Sequence, residues 1–208
     1  MKVLYIDTSS SYLYTAIVEN DRSVIEIKKD FGHDLSEKAL PEIVSMFESI
    51  NLKPEEIDKI IVVNGPGSFT GIRIGITIAK VYAWSLNIPI TTITSLEAMM
   101  LSSNKNMYKV PVIDARRKYV FGAIYDNDNK EIIKPQYVNI SNLEKELEKI
   151  NNYTVITNDD IYELNNKESY NPNISKIVEY FKDKPPINPH AINPNYLKLT
   201  EAEESIMQ

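Results

Sequence analysis

Apolar positions in this chain fall into short β-type runs that occur twice in the same order. From Lys2 a run KVLYID ends in a polar turn, TSSS, and a second run YLYTAIV reaches an Asn-Asp turn before SVIEI. From Lys109 the succession returns as KVPVID, ARRK, YVFGAIY, Asn127-Asp128 and KEIIK. Aligned without a gap, Lys2–Asp21 and Lys109–Asp128 share Lys, Val, Ile, Asp, Tyr, Ala, Ile, Asn and Asp at nine of twenty positions. Runs rich in β-branched and aromatic residues, separated by turn formers, predict antiparallel strands in series in each copy.

The spacing then changes from two to between three and four. Leu35, Ala39, Leu40, Ile43, Phe47 and Ile50 predict a helix over His33–Ile50, with Pro41 marking either a kink or a late start. DKIIVVN from Asp58 predicts a buried strand, Thr70–Leu86 a helix, and IPITTIT from Ile88 a strand or part of a loop. Polar SSNKN from Ser102 is the expected boundary. Beyond it the pattern repeats in reduced form, with a helix in SNLEKELEKI, a strand in YTVIT and a helix in NISKIVEYFK. The expected division is residues 1–104, residues 105–190, and a tail over 191–208 that packs on the body. Two β-first units, each with an aspartate closing its opening strand, predict an α/β fold of two tandem ribonuclease-H-like domains, the second reduced. That is the architecture of the actin, Hsp70 and sugar-kinase superfamily, and fold analogy carries no function with it.

Composition narrows the chemistry. With 208 residues, 43% of them hydrophobic, the chain can bury a real core. A net charge of -6 gives no broad basic footprint for nucleic acid. No stretch approaches a membrane span, so a cytoplasmic protein with no membrane partner is expected. Zero cysteines exclude thiolate nucleophiles and Cys-ligated metal, and two histidines, His33 and His190, form no metal-binding pair, so no metal site is expected.

Nucleotide in that superfamily lies between the domains, gripped by glycine-rich turns and acidic residues. Asp7, with Thr8 after it, and Asp114 stand where those acids would stand, as a candidate vestigial cleft. Their turns, DTSSS and DARRK, contain no glycine, and Asn158, Asp159 and Asp160 follow YTVIT, where carboxylates would repel phosphate. A small ATP-dependent kinase is therefore the alternative function rather than the first.

Four of the six glycines lie in NGPGSFTGIRIG, residues 64–75. Gly65 and Gly67 suit a tight strand-to-helix turn, and Gly71, Gly75, Ala79 and Ala83 follow at steps of four. They give one helix face almost no side chain, so another element can approach closely. Glycine inside a helix costs up to about 1 kcal/mol relative to alanine, so Gly75 has a packing reason. Spacing alone leaves open whether that face meets the protein's own sheet or a partner.

KVLYIDTSS, HDLSEKALPEI, NGPGSFTGIRIGITIAK, VIDARRKYVFGAIY and PNYLKLTEAE, in this order over nearly the whole chain, resemble the bacterial TsaB (YeaZ) family. The resemblance implies a non-catalytic subunit that pairs with a TsaD-like catalytic protein and engages a TsaE-like ATPase. Together they install N6-threonylcarbamoyladenosine beside the anticodon of tRNAs reading codons that begin with A. It implies no cofactor for the isolated chain, ATP and magnesium being used by the partners, and tRNA reached only through the complex. Pairing through the first two helices is implied, with homodimerisation through the same surface when the partner is absent. Carried onto this chain, the interface comprises His33, Leu40, Ile43, Phe47, Gly71, Ile72, Arg73, Gly75, Ile76, Ala79 and Ala83.

Overall fold

The computed structural model describes residues 1–105 and 107–198. The strands of its first half are β1 (Lys2–Asp7), β2 (Tyr12–Glu19), β3 (Arg22–Asp30), β4 (Lys59–Val63) and β5 (Ile90–Ile93). Those of its second half are β6 (Tyr108–Asp114), β7 (Tyr119–Tyr125), β8 (Glu131–Asn139), β9 (Tyr153–Ile156) and β10 (Lys167–Glu168). The helices are α1 (Leu35–Ser49), α2 (Phe69–Leu86), α3 (Ser95–Ser102), α4 (Ile140–Leu147) and α5 (Ile174–Phe181).

Two five-stranded sheets result, in the orders β3-β2-β1-β4-β5 and β8-β7-β6-β9-β10. In each, the first three strands form an antiparallel meander and the fourth pairs parallel to the first. The internal repeat is thus a repeated topology, and Asp7 and Asp114 close equivalent central strands.

The layers follow from which strand faces are apolar. Leu4, Ile6, Leu13, Ile17, Ile60 and Val62 cover one face of the first sheet and pack under α1 and α2. Val3, Tyr5, Tyr14, Ala16, Ile61 and Val63 cover the other, where they meet α3, α5 and Ala123, Tyr125 and Ile156 of the second sheet. The outer face of the second sheet, with Val110, Val112, Val120, Ile124 and Val155, is closed by Ile140, Leu143 and Leu147 of α4. The order is helices, sheet, helices, sheet, helix, with β1 buried on both faces.

Three features depart from the sequence reading. Pro41 stays inside an uninterrupted α1, on its exposed side. The α3 helix is additional; its start is marked by Thr94, whose hydroxyl accepts the Glu97 N–H at 3.1 Å while the Glu97 carboxylate accepts the Thr94 N–H at 2.7 Å. The α5 helix, expected with residues 105–190, returns to the first sheet, where it contacts β1, β2 and β3. Ile174, Ile177, Val178 and Phe181 put its apolar stripe there.

Candidate functional site

The GPGSF loop determines how α2 lies on the sheet. The Ser68 N–H donates to the Ser9 carbonyl at 2.7 Å, and the Ser68 hydroxyl caps the helix by accepting the Gly71 N–H at 3.2 Å. Gly67 has φ +152°, and a Cβ there would collide with the Ser9 carbonyl. One turn on, the Thr8 hydroxyl donates to the Gly71 carbonyl at 2.7 Å. A Cβ at Gly71 would collide with the Thr8 carbonyl oxygen, and one at Gly75 with Thr8 Oγ1. Gly71, Gly75, Ala79 and Ala83 therefore seat α2 against the TSS turn and its own sheet.

That geometry corrects the partner seam. Ile43, Phe47, Gly71, Ile72, Gly75, Ile76, Ala79 and Ala83 are buried within the chain, on the sides of α1 and α2 that face the sheet. His33, in the turn Gly32–Asp34, is exposed, as are Leu40 and Arg73. The physical reason is that a small-residue stripe records close approach without recording what approaches. On this chain the neighbour is the strand end at Thr8.

The opposite side of the helix pair carries Leu40, which is among the expected interface residues, together with Val44, Val81 and Trp84, which the sequence reading passed over. Leu40 and Val44 on α1 are 47% and 42% exposed, and Val81 and Trp84 on α2 are 56% and 67% exposed. The two helices are joined beneath them, Phe47 and Tyr82 having ring centroids 6.1 Å apart. A second border is the carboxy-terminal segment. Lys80 Nζ donates to the Ile192 carbonyl at 3.1 Å, the Asn195 N–H donates to the Asn64 carbonyl at 2.7 Å, and Arg73 Nε donates to the Tyr196 hydroxyl at 2.8 Å. The part of the expected tail over 191–198 thus packs along α2; the remainder lies outside the described residues. Val81 and Trp84 were detectable as the helix positions roughly opposite Gly75 and Ala79.

Between the two sheets is a cleft of about 690 Å³. Its walls include the three serines after Thr8, Phe69 at the start of α2, and Asp114, Arg116, Phe121 and Asp159 from the second half. Of the acids and their neighbour, Asp114 lines this space; Asp7 and Thr8 do not. Thr8 is fully buried and its hydroxyl is taken up by α2. Asp7 is sealed, its Oδ1 accepting the Ser9 N–H at 2.8 Å and the Tyr5 hydroxyl 3.5 Å from Oδ2. Burial pushes the Asp7 carboxyl above its ordinary value, outweighing the Ser9 and Tyr5 hydrogen bonds that pull it down. On the other wall Asp159 Oδ2 accepts the Asp114 N–H at 2.7 Å, and burial also raises Asp159, with the Asp114 charge adding to it. Asp114 and Asp159 put two carboxylates on this wall, which disfavours a triphosphate beside them.

The equivalent turns of the two repeats differ. Arg116, Arg117 and Lys118 have φ of 66°, 55° and 63°, a run of three left-handed residues without a glycine. Each such residue costs roughly 1–2 kcal/mol. The loop is closed by the Tyr119 N–H donating to the Arg116 carbonyl at 3.0 Å. No group of three or more His, Cys, Asp or Glu able to hold a metal occurs among the described residues, and no helix among them is long and apolar enough to cross a membrane.

Fold and cleft together define a duplicated ribonuclease-H-like protein of the actin and sugar-kinase type. The family described as "TsaD: tRNA N6-adenosine threonylcarbamoyltransferase" matches residues 23–176. The tRNA threonylcarbamoyladenosine biosynthesis protein TsaB of Bacillus subtilis (strain 168) is 31% identical, over 98% of this chain and 96% of that protein. Its counterpart in Escherichia coli (strain K12) is 29% identical, over 64% of this chain and 58% of that one. The chain belongs to the TsaB (YeaZ) family. A solved structure, YeaZ from Pseudomonas aeruginosa, superposes with a TM-score of 0.77 at 17% identity, over 94% of this chain and 99% of that one, which supports the fold.

Proposed function

We propose that the chain is a non-catalytic subunit for tRNA threonylcarbamoyladenosine formation, docking a TsaD-like catalytic protein on the outer side of the α1–α2 pair. A TsaE-like ATPase acts on the resulting complex. The observation that carries the reading is the set of exposed apolar residues Leu40, Val44, Val81 and Trp84 on two helices whose inner sides are locked to the sheet. Large apolar side chains on a rigid helix surface are the material of a binding hot spot. Membership of a family whose curated relatives are threonylcarbamoyladenosine biosynthesis proteins points to the partner. The sealed Asp7 and the two carboxylates on the cleft wall, Asp114 and Asp159, support a role without catalysis of its own. The cytoplasm, where tRNA is modified, is the proposed compartment.

Reconstitution tests the reading. Matched TsaD-like and TsaE-like proteins with ATP, magnesium and the substrates for threonylcarbamoyl transfer are incubated with tRNA, and modified adenosine is quantified with and without this chain. Product is expected only when the chain is present, and none from the chain alone. Equal product without it would overturn the role.

A further inference from the structure

The second repeat's turn and the strands beside it form a surface that the docking role leaves unused. Arg116, Arg117 and Lys118 project from a left-handed loop, all three exposed. Directly behind them Tyr119 and Tyr137 stack with ring centroids 4.7 Å apart, and Phe121 lies 5.6 Å from Tyr137. Lys198 Nζ sits over the Tyr137 ring at 5.5 Å. The same strand face farther along β7, at Ala123 and Tyr125, is covered by the central helices, whereas Tyr119, Phe121 and Tyr137 are only partly covered. In the first repeat the equivalent turn is Ser9, Ser10 and Ser11, and the GPGSF loop lies on it.

We propose that this mouth of the cleft binds single-stranded RNA directly, phosphates on the cationic turn and Lys198, bases on the Tyr119, Phe121 and Tyr137 platform. Cations that follow a backbone, combined with aromatic faces that accept any base, are the general means of holding single strands. The electrostatics fix the orientation. Asp114 and Asp159 in the cleft disfavour phosphate and can accept hydrogen bonds from exocyclic amino groups, so the backbone lies at the rim and the bases turn inward. A duplex, whose bases are stacked on one another, cannot use the platform. The inference rests on the tRNA-modification reading only for the choice of RNA over DNA. It departs from the expectation that tRNA is reached only through the complex.

The test is fluorescence anisotropy of the isolated chain with a labelled single-stranded RNA of about ten nucleotides, from about 50 to about 200 mM salt. Replacing Arg116, Arg117 and Lys118 by Gln should weaken binding at least about tenfold at the low-salt end. It should also reduce the slope of log affinity against log salt by about 2, at about 0.7 per phosphate contact. Tyr137→Leu should weaken binding about 5- to 100-fold with the slope unchanged, as expected for lost stacking. Absent wild-type binding, unchanged affinity in the triple variant, or equal affinity for a blunt RNA duplex would each overturn the proposal. Co-purification of the triple variant with the TsaD-like protein is measured in parallel. Loss of RNA binding with pairing retained supports the inference, whereas loss of pairing by wild type counts against the docking role and leaves the RNA result standing.

Discussion

Replacing Gly75 by alanine probes the seat of α2 most sharply. An added Cβ would lie closer than 3.0 Å to Thr8 Oγ1, which is buried and donates to the Gly71 carbonyl at 2.7 Å. Its next neighbours are at 3.5 Å, the Thr8 Cβ, and 3.6 Å, the Ile6 Cγ2, both ordinary contacts. The strain therefore resides in one hydroxyl. Helix propensity favours alanine by up to about 1 kcal/mol, while overpacking a closed core costs about 1–3 kcal/mol, so Gly75→Ala should destabilise by up to about 2 kcal/mol. Thr8→Ala alone should cost about 1–2 kcal/mol through a lost hydrogen bond and lost packing. In the double variant the new methyl enters the space Oγ1 has left, so the two effects should not add. Urea unfolding of the four proteins should give a coupling of about 1–3 kcal/mol in favour of the double variant. Additivity within about 0.5 kcal/mol, or net stabilisation by Gly75→Ala alone, would refute the packing argument. A loss of partner binding in this variant would follow from a disturbed fold, not from a blocked seam.

Other outcomes follow from the same geometry. Asp7→Asn should flatten the pH dependence of stability. The folded-state pKa of Asp7 lies above the ordinary 3.8, so stability contributed by the protonated form is lost as pH rises from about 3.8 through the folded value. Urea midpoints of wild type should fall relative to the variant as pH rises above about 4, and parallel curves would contradict a buried, raised carboxyl. Thr94→Ala, which removes the hydroxyl cap of α3, should cost about 1 kcal/mol, seen as a lowered thermal midpoint, and an unchanged midpoint would contradict the cap. Trp84→Ala should leave the unfolding free energy from urea titration within about 0.5 kcal/mol of wild type, because the residue is 67% exposed. The same change should weaken pairing with the TsaD-like protein by about 2 kcal/mol, roughly 30-fold, measured by titration calorimetry.

The sheets were legible because the period-two runs carry their own punctuation. Asn20 and Asp21 take the left-handed conformation that an Asn-Asp turn between strands invites, with φ of 51° and 62°. The repeat then made the second sheet readable from the first. Less legible was anything decided by what lies across a gap. The stripe Gly71, Gly75, Ala79 and Ala83 announced a close neighbour, but a threonine hydroxyl at a strand end and a foreign helix demand the same bare face. Asp7 and Thr8 occupied the expected places for a cleft, yet their side chains are used up by Ser9, Tyr5 and α2. That α5 would return to the first sheet follows from long-range packing, which local periodicity does not encode. The α3 helix did leave a trace, the Thr94-to-Glu97 capping pattern ahead of an apolar run.

The native mass of a mixture of this chain with its TsaD-like relative, for wild type and for Val81→Asp, tests the docking of a partner on the outer side of α1 and α2. Val81 is 56% exposed, so the substitution leaves the fold intact while placing an unpaired charge in the middle of the docked surface. Wild type should give a stable hetero-complex and Val81→Asp two separate species, with equal urea midpoints for the two forms of the chain. A complex that survives Val81→Asp, or a wild-type chain that never joins its relative, would contradict the account.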